Sequence, residues 1–335
     1  MLRFVVRRLL LLVPILLGLS ILVFAWIRAL PGGPAEALLG ERLTPESRAQ
    51  IEEQYGLDDP VYVQYWSYLR TTVGDRDLGT SITSRRPVGE ELRQRFPATI
   101  ELAVGAMIFA MVFGIPLGYI AAKRYGGPID QASLVVSLLG VSIPIFFLAI
   151  LLKYVFAIQL GWLPTVGRQS VLIDTPHPTN FYILDAIIAG DPEAVWDCIQ
   201  HLILPAIALG SIPLAIVARI TRAATLDVQN EDYVRTARAK GLPPRVVDVR
   251  HIFRNALLPI ATIVGLQTGL LLSGAVLTET VFAWPGIGTW LVEAIETRNY
   301  PVLQGGILFV SLVFVLVNLI VDVSYALINP RIRVS

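Results

Sequence analysis

Long apolar stretches alternate with shorter polar segments along most of the chain. Six of the apolar stretches are long enough to cross the hydrocarbon core of a bilayer as helices, at about 1.5 Å of rise per residue. They cover residues 9–30, 100–122, 133–160, 202–218, 256–280 and 302–328. Several contain a proline, which transmembrane helices tolerate either as a kink or as a hinge. The pattern predicts an all-α membrane protein with six transmembrane helices.

Composition agrees with this class. Hydrophobic residues make up 54% of the chain and charged residues 16%, which is too much apolar surface for one soluble core. No small-x-small cleavage site follows the first apolar stretch, so we expect it to be a retained anchor and not a signal peptide. Cys198 is the only cysteine, which excludes an internal disulfide and a cysteine-rich metal site.

The distribution of basic residues predicts the orientation. Segments 1–8, 123–131, 219–255 and 329–335 together carry fifteen Lys/Arg and five Asp/Glu, whereas the segments on the other side carry ten and eighteen. The positive-inside rule then places both termini and loop 219–255 in the cytoplasm. The predicted organisation is a first helix with its N-terminal segment (1–30), a large extracytoplasmic loop region (31–99), a transmembrane core (100–328) and a cytoplasmic tail (329–335).

The extracytoplasmic segments contain short elements of their own. Residues 44–55 are expected to form a small amphipathic helix with Thr44 as its N-cap. Residues 61–72 are rich in Tyr and Trp, as is typical of an interfacial belt. The loop 161–201 is too polar to span the membrane, and His177 within it lacks the nearby partners that a metal site needs.

Motifs for enzymatic chemistry are absent from the sequence. It has no phosphate-binding loop of the type G-x-x-x-x-G-K-[ST], no G-x-S-x-G and no H-E-x-x-H. We therefore expect no catalytic residue, metal or cofactor on this chain. Lys153, Glu279 and Asp322 fall within apolar stretches, where they are consistent with an ion-coupled carrier, with structural pairing or with snorkelling to the interface.

Loop 219–255 lies between two apolar stretches and carries eight Lys/Arg and four Asp/Glu. Residues 230–240 can form a short helix with Asn230 as N-cap and Gly241 as C-cap. A second helix is expected over about 245–255; the residues expected to face the membrane or the first helix are Val246, Val247, Val249, Ile252 and Phe253. This pattern is typical of a docking surface, and it also fits a turn whose basic residues bind lipid phosphates.

The sequence of this loop, EDYVRTARAKGL followed by RHIFRNALLP, resembles the cytoplasmic coupling loop of ABC importer permeases. Three more stretches resemble the same family: RALPGGP after the first span, DLGTSITSRRPVGEELRQRFPATIELA at 77–103 and TVFAWPGIGTWLVEAIETRNYPVLQG at 280–305. The likeness covers essentially the whole chain. More narrowly it looks like the dipeptide, oligopeptide and nickel branch, and its long first outer loop resembles the B-type transmembrane subunit of that branch. The resemblance implies the type I importer permease fold with a cytoplasmic coupling helix.

In this family the coupling helix sits in a cleft of the ATPase subunit and carries an E-A-A-x-x-x-G pattern. The aligned positions here are Arg235, Thr236, Ala237 and Gly241, so the first acidic residue is missing. By resemblance, the predicted coupling residues are Asp232, Tyr233, Arg235, Thr236, Ala237, Arg238, Lys240 and Gly241. The predicted outer docking or gating residues are Trp284, Pro285 and Gly286, unless this turn is only an interfacial anchor.

The resemblance also implies the partners and the transport pathway. Neutral, small residues of the fifth span are pathway candidates, with Glu279 as a contact for a peptide amino group; the set is Gln267, Thr268, Ser273, Thr278 and Glu279. Expected partners are a second homologous permease forming a heterodimer, two ATPase subunits that bind ATP and Mg, an extracytoplasmic substrate-binding protein and membrane lipid, without nucleic acid. The expected location is the bacterial cytoplasmic membrane.

The substrate expected from the branch is a peptide, although nickel chelates, glutathione, sugars and opines are also carried by its members. Two other classes stay open at this point. One is a secondary carrier or channel that acts without ATPases, and the other is a membrane scaffold whose loop only recruits a cytoplasmic protein.

Overall fold

The computed structural model describes residues 2–29, 59–75, 77–273 and 275–328. Most of these residues are helical. In chain order the helices are α1 Leu2–Ala29, α2 Val61–Leu69, α3 Val88–Lys123, α4 Pro128–Ser142, α5 Ile145–Leu152, α6 Tyr182–Ala189, α7 Pro192–Gln229, α8 Asp232–Ala239, α9 Pro244–Val246, α10 Arg254–Ser273, α11 Val276–Val281, α12 Ile287–Glu296 and α13 Tyr300–Ile328. π-helical turns continue α2, α5 and α9 over Arg70–Gly74, Lys153–Gln159 and Val247–Phe253. The predicted helix at 44–55 and the tail at 329–335 lie outside the described residues.

Five helical segments of the described chain are long and apolar enough to cross a membrane. They are Leu10–Arg28 in α1, Val88–Lys123, Pro192–Gln229, Pro244–Leu272 and Tyr300–Ile320. A sixth span is obtained if Pro128–Ser142 and Ile145–Gln159 are counted together as one bent span. This architecture confirms the prediction of an all-α membrane protein.

The third predicted span is not one straight helix. α4 and the segment that begins with α5 meet at an angle of 102°, and the break falls at Ile143 and Pro144. Ile143 has an extended backbone, with φ −82° and ψ 124°. Proline disfavours the helical conformation of the residue before it, which accounts for the position of the break. The prolines inside α7, Pro205 and Pro213, are buried and leave that helix continuous.

The chain forms two compact units. Of the described residues, the first unit contains those within 100–284 and 317–328, and the second contains those within 2–29, 59–99 and 285–316. In the first unit, α7 is the central helix: α4, α5, α6 and α10 all pack against it. At 38 residues it is about 57 Å long, which exceeds the thickness of a bilayer core and carries it well beyond the predicted 202–218 stretch.

α3 and α7 cross at very short distance, and glycines make this possible. A Cβ atom built at Gly118 would lie 2.2 Å from the carbonyl oxygen of Ala218, and one built at Gly114 would lie 2.9 Å from that of Leu214. From the other helix, a Cβ at Gly210 would lie 2.6 Å from the oxygen of Ala106. The crossing is therefore a contact of backbone against backbone, as is common where membrane helices pack through small residues.

The second unit has its own apolar core. Val23 and Ile27 of α1 pack with residues from the start of α3, from α12 and from the start of α13; those partners are Val88, Leu92, Ile287, Trp290, Ala294, Val302 and Leu303. The predicted interfacial belt at 61–72 is divided between two environments. Tyr62 and Trp66 are exposed on α2, whereas Tyr65 packs edge-on against Phe24 of α1.

Candidate functional site

The predicted coupling helix is present as α8, but its N-terminal boundary differs from the prediction. Asn230 is not the N-cap: it ends α7 with φ −89° and ψ −5°, and its side chain donates to the Leu226 oxygen at 3.0 Å. Glu231 is the N-cap of α8 and has an extended backbone, with φ −67° and ψ 144°. The prediction failed because α7 continues to Gln229 and uses Asn230 for its own end.

Gly241 ends α8 as predicted. Its φ is +73°, a left-handed conformation that glycine adopts without steric cost. Three backbone hydrogen bonds close the last turn: from Lys240 to Thr236 at 3.0 Å, from Gly241 to Arg238 at 3.0 Å and from Leu242 to Ala237 at 3.4 Å. A Cβ built on Gly241 would meet no atom within 4 Å, so the position is open on its outer side.

α8 has one buried face and one exposed face. Val234 and Ala237 are buried against Val247 and Ile252 of the following π-helical turn. The exposed predicted residues are Asp232, Tyr233, Arg235, Thr236, Arg238, Lys240 and Gly241. Ala237 thus belongs to the face that attaches α8 to its own chain, while the other seven are available to a partner.

The second half of the loop is not a regular α-helix. Val247 and Ile252 are buried against α8, whereas Val246 and Val249 are exposed. The cause is the π-helical turn, whose i→i+5 bonding brings residues five apart to one side. Phe253 turns to a neighbouring cluster with Ala224, Ala256 and Ile260.

Contacts of several kinds attach the loop to the long helices of the first unit. Lys123, the last residue of α3, donates to Asp248 at 2.6 Å. The ring of Phe253 stands edge-on to Tyr119 of α3, with centroids 5.7 Å apart. Burial raises the pKa of the Tyr233 phenol above its ordinary value, although the nearby Asn255 side chain opposes this. The loop is consequently a packed part of the first unit.

A buried ion pair near this loop was missed in the sequence. Arg222 of α7 donates to both carboxylate oxygens of Asp130, at 2.5 and 2.8 Å. Asp130 also accepts from the backbone of Gly126 at 2.9 Å, and the Arg222 guanidinium lies 5.3 Å from the Tyr125 ring centroid. The pair fixes the segment between α3 and α4 to α7. The sequence signal was an aspartate at the first turn of an otherwise apolar helix.

The predicted pathway residues fall on two helices. Gln267 is buried on α10, and Thr268 nearby donates to the Val264 oxygen at 2.8 Å. Thr278 and Glu279 are both fully buried on α11. The Ser273 side chain lies outside the described part of the structure.

A small cavity of about 110 Å³ in the first unit touches one of these residues. It is lined by Ile145, Leu209, Ala275, Val276, Leu277 and Thr278. Of the predicted pathway residues whose side chains are described, Thr278 alone borders it. Its lining is predominantly apolar.

Of the ionisable residues in apolar stretches, Lys153 has a structural partner. Its ammonium group donates to the backbone oxygen of Val281 at 2.8 Å. Val281 is the last residue of α11, and a cation at a helix C-terminus is electrostatically favourable. The Asp322 side chain is outside the described residues.

The loop 161–201 folds around Arg168. Arg168 forms an ion pair with Glu101 of α3 and donates to the Asn180 oxygen at 2.9 Å. Its guanidinium lies 3.8 Å from the Tyr182 ring centroid, and Glu101 also accepts from the Ile183 backbone at 3.0 Å. These contacts order a segment that the sequence showed only as a polar loop.

His177 stacks on Tyr182, the same ring that Arg168 contacts. Its ring is parallel to that of Tyr182, with centroids 3.6 Å apart. Burial lowers the pKa of His177, and the Arg168 charge adds to this, whereas Asp185 opposes it. The described residues contain no group of three His, Cys, Asp or Glu side chains with the geometry of a metal site.

The predicted outer residues differ in accessibility. Trp284 is only 2% exposed, and the Arg168 guanidinium lies 5.6 Å from its ring centroid. Pro285 is exposed and Gly286 is buried. Of the three, a partner could reach only Pro285 in this conformation.

The long apolar helices together with loop 219–255 are typical of a polytopic membrane transport component. Residues 114–334 match the family described as binding-protein-dependent transport system inner membrane component. Residues 1–103 match its N-terminal counterpart. The chain belongs to the family of binding-protein-dependent transport system inner membrane components.

Curated relatives match over the full length. The chain is 48% identical to the dipeptide transport system permease protein DppB of Alkalihalophilus pseudofirmus, over 99% of this chain and 100% of that protein. It is 49% identical to the di/tripeptide transport system permease protein DppB of Pseudomonas aeruginosa, over 99% of each. The glutathione transport system permease protein GsiC of Escherichia coli is 44% identical, again over 99% of each.

A solved structure shares the fold. It is a chain of the MetNI methionine ABC transporter in inward-facing conformations, with a TM-score of 0.51 and 16% identity. The match covers 69% of this chain and 93% of that one. The chain therefore has the type I ABC importer permease fold that its sequence predicted, and it is a transport component of the inner membrane.

Proposed function

We propose that the chain forms half of the translocation pathway of an ATP-driven importer for di- or oligopeptides. The observation that carries the proposal is its identity of 48–49% over full length with permeases named for dipeptides and di/tripeptides. Glutathione, named for a further relative, is itself a tripeptide. A peptide is the cargo chemistry that these relatives have in common.

The remaining parts of the importer are proposed with it. A second, non-identical permease completes the pathway, two ATPase subunits bind ATP and Mg, and a substrate-binding protein delivers the cargo outside; lipid surrounds the helices and nucleic acid has no role. Both termini and loop 219–255 face the cytoplasm. Segment 31–99 lies outside, residues 100–328 form the permease core and 329–335 the tail. The excess of basic residues in the short cytoplasmic segments supports this orientation.

α8 is proposed to couple ATP hydrolysis to movement of the long helices. Its exposed face carries Arg235, Arg238 and Lys240. These positive charges would be complementary to an acidic cleft on the ATPase. Its inner face is packed through Val234 and Ala237. The Lys123–Asp248 bond then links the loop to α3. A stiff connection of this kind is what transmission of a closing motion requires.

Within the predicted pathway and docking sets, cavity contact and exposure single out one residue each. Gln267, Thr268, Ser273, Thr278 and Glu279 remain the proposed pathway set, with Thr278 supported by the adjoining cavity. Because Glu279 is fully buried, it would have to be uncovered by a change of conformation before it could meet cargo. Pro285 is the accessible member of the proposed docking turn.

Co-purification tests the proposed assembly. The tagged chain is extracted from its native membrane, bound proteins are identified by mass spectrometry, and ATP hydrolysis is measured with and without peptide and binding protein. We expect two ATPases, a second permease and turnover stimulated by peptide-loaded binding protein. Recovery of the chain alone, transporting in liposomes without ATP, would instead support an independent carrier, for which the structure offers little because Lys153 is occupied by the Val281 oxygen.

Substitutions of Gly241 are expected to uncouple ATP hydrolysis from uptake. Valine must strain the left-handed backbone at a cost of about 1–2 kcal/mol, which corresponds to roughly a tenfold loss of the docked form of α8. A Cβ atom at this position would meet no other atom within 4 Å, so the expected effect comes from the backbone strain. We expect Gly241→Val and Gly241→Trp to lower peptide uptake about tenfold in proteoliposomes while ATP hydrolysis continues.

Gly241→Asn is the matched control, because asparagine tolerates the left-handed conformation better than other residues. It should keep most of the uptake per ATP hydrolysed. Normal transport by Gly241→Trp would contradict the coupling role of this turn.

A further inference from the structure

A polar cavity of about 100 Å³ opens on the surface of the second unit. Its rim comes from the turn before α3, from α3 itself and from α12, with Ser81, Ser84, Arg95 and Glu293 among the lining residues. Its apolar part is formed by Trp290, Ala294 and Val302. None of the proposed coupling, pathway or docking residues belongs to it.

Glu91 is the buried charged group of this cavity. The residue is 8% exposed, and its Oε2 accepts a hydrogen bond from the Trp290 indole at 2.8 Å. Within the described residues no hydrogen bond or ion pair engages the other carboxylate oxygen. That oxygen is accessible to solvent, so it can accept a further hydrogen bond from a donor placed beside it. The cavity provides space for such a donor.

Two more charged side chains line the same cavity. Arg95 follows Glu91 by one helical turn on α3 and is half-buried, and no partner for its guanidinium is found in the described ranges. Glu293 on α12 is exposed at the rim. Two carboxylates and one guanidinium give the cavity a formal charge of −1, with both signs represented. Such a set suits a ligand that presents an ammonium group and an oxygen acceptor together.

The walls are held in place before any ligand arrives. The Asn299 amide donates to Ser81 at 2.8 Å and to Thr83 at 3.1 Å. Its oxygen accepts from the Ile82 backbone at 3.1 Å. These bonds hold the turn 81–83 to the segment after α12, as the Glu91–Trp290 bond holds α3 to α12. A preformed site loses less entropy on binding.

We propose that this cavity is a subsite for the amino end of a peptide, with the ammonium group between Glu91 and Glu293 and the first carbonyl or carboxylate beside Arg95. The inference rests on the proposed peptide cargo. The cavity is smaller than the roughly 300–1,000 Å³ of sites that enclose a whole small molecule, so it holds one end of the ligand. A lysine side chain of a partner fits less well, because it offers nothing to Arg95.

Thiol protection tests the proposal. Ser84 is exposed at the rim, and the native Cys198 is buried, so Ser84→Cys creates the reactive thiol of the described chain. The assembled complex is treated with a maleimide, and modification of this chain is followed by intact mass. A free dipeptide at about ten times its Kd should slow modification about tenfold. The same dipeptide with an acetylated amino end should not slow it.

Variants locate the effect. Glu91→Gln and Glu293→Gln, each combined with Ser84→Cys, should abolish protection; Glu293 is exposed, so its substitution is safe for folding. Glu90→Gln is the matched control, since Glu90 neighbours Glu91 but contacts Gln94 outside the cavity. Equal protection by free and acetylated peptides, no protection at all, or protection that survives both cavity variants would overturn the proposal. ATP-driven dipeptide uptake by the wild-type complex is measured separately, so that loss of the subsite and loss of the proposed function are distinguished.

Discussion

Replacement of Gly118 by leucine is expected to prevent the chain from reaching its folded state. A Cβ atom at this position would lie 2.2 Å from the Ala218 backbone oxygen and 2.8 Å from the Thr221 Cβ. A backbone oxygen cannot rotate away as a side chain can, so α3 and α7 would have to separate. Overpacking costs typically 1–3 kcal/mol, and a clash of two backbones is expected at or above about 3 kcal/mol.

Gly89→Leu is the control for this substitution. Gly89 is also in α3, and a Cβ built on it meets no atom within 4 Å. The measurement is the yield of monodisperse protein after extraction in mild detergent, together with its melting temperature. We expect little or no folded Gly118→Leu protein and near-normal recovery of Gly89→Leu. Comparable yields and melting temperatures for the two variants would show that the close crossing of α3 and α7 is unimportant for stability.

The class of fold could be predicted from the sequence because it depends on local patterns. Apolar stretches of sufficient length predict helices that span a membrane whatever their neighbours are. The end of α8 at Gly241 was predictable for a similar reason, since a glycine after a charged helix supplies the left-handed turn by itself. The sequence motif of loop 219–255 indicated the family, which hydrophobic periodicity alone could not indicate.

Predictions failed where the outcome depended on neighbours distant in sequence. Asn230 has the chemistry of an N-cap, but whether it begins α8 or ends α7 is decided by how far the packing of α7 extends its helix. Pro144 breaks its span while Pro205 does not, although both are prolines within apolar stretches. The ion pair of Asp130 with Arg222 joins residues 92 positions apart, and no local pattern identifies such a pair.

The order of loop 161–201 could not be predicted from the sequence. Its order depends on Arg168, which reaches a carboxylate 67 residues earlier in the chain. In the sequence this arginine is the only Lys or Arg of segment 161–201, but no local pattern identifies the carboxylate that it pairs with. Its burial, and the stacking of Tyr182 between Arg168 and His177, can be seen only in the folded chain.

Loss of the Arg168 charge is expected to cause the second large effect. The side chains of Arg168 and Glu101 are only 3% and 9% exposed, so Arg168→Met leaves a buried carboxylate without its counter-charge. Breaking one partner of a buried pair costs about 3–5 kcal/mol. The measurement is the melting temperature of the purified chain. The exposed pair Arg235 and Asp232, whose side chains are 69% and 96% exposed, is the matched comparison. Arg235→Met should change stability by less than about 1 kcal/mol.

The double variant Arg168→Met/Glu101→Gln separates charge from packing. It removes the unpaired carboxylate while keeping an oxygen that can accept from the Ile183 backbone. Because replacement of a whole buried pair is often far less costly than loss of one partner, the double variant should be more stable than Arg168→Met alone. It should stay below the wild type, since the contacts of Arg168 with Tyr182 and Asn180 are not restored. A double variant that is less stable than either single one would show that the charge of Glu101 has a stabilising role independent of Arg168.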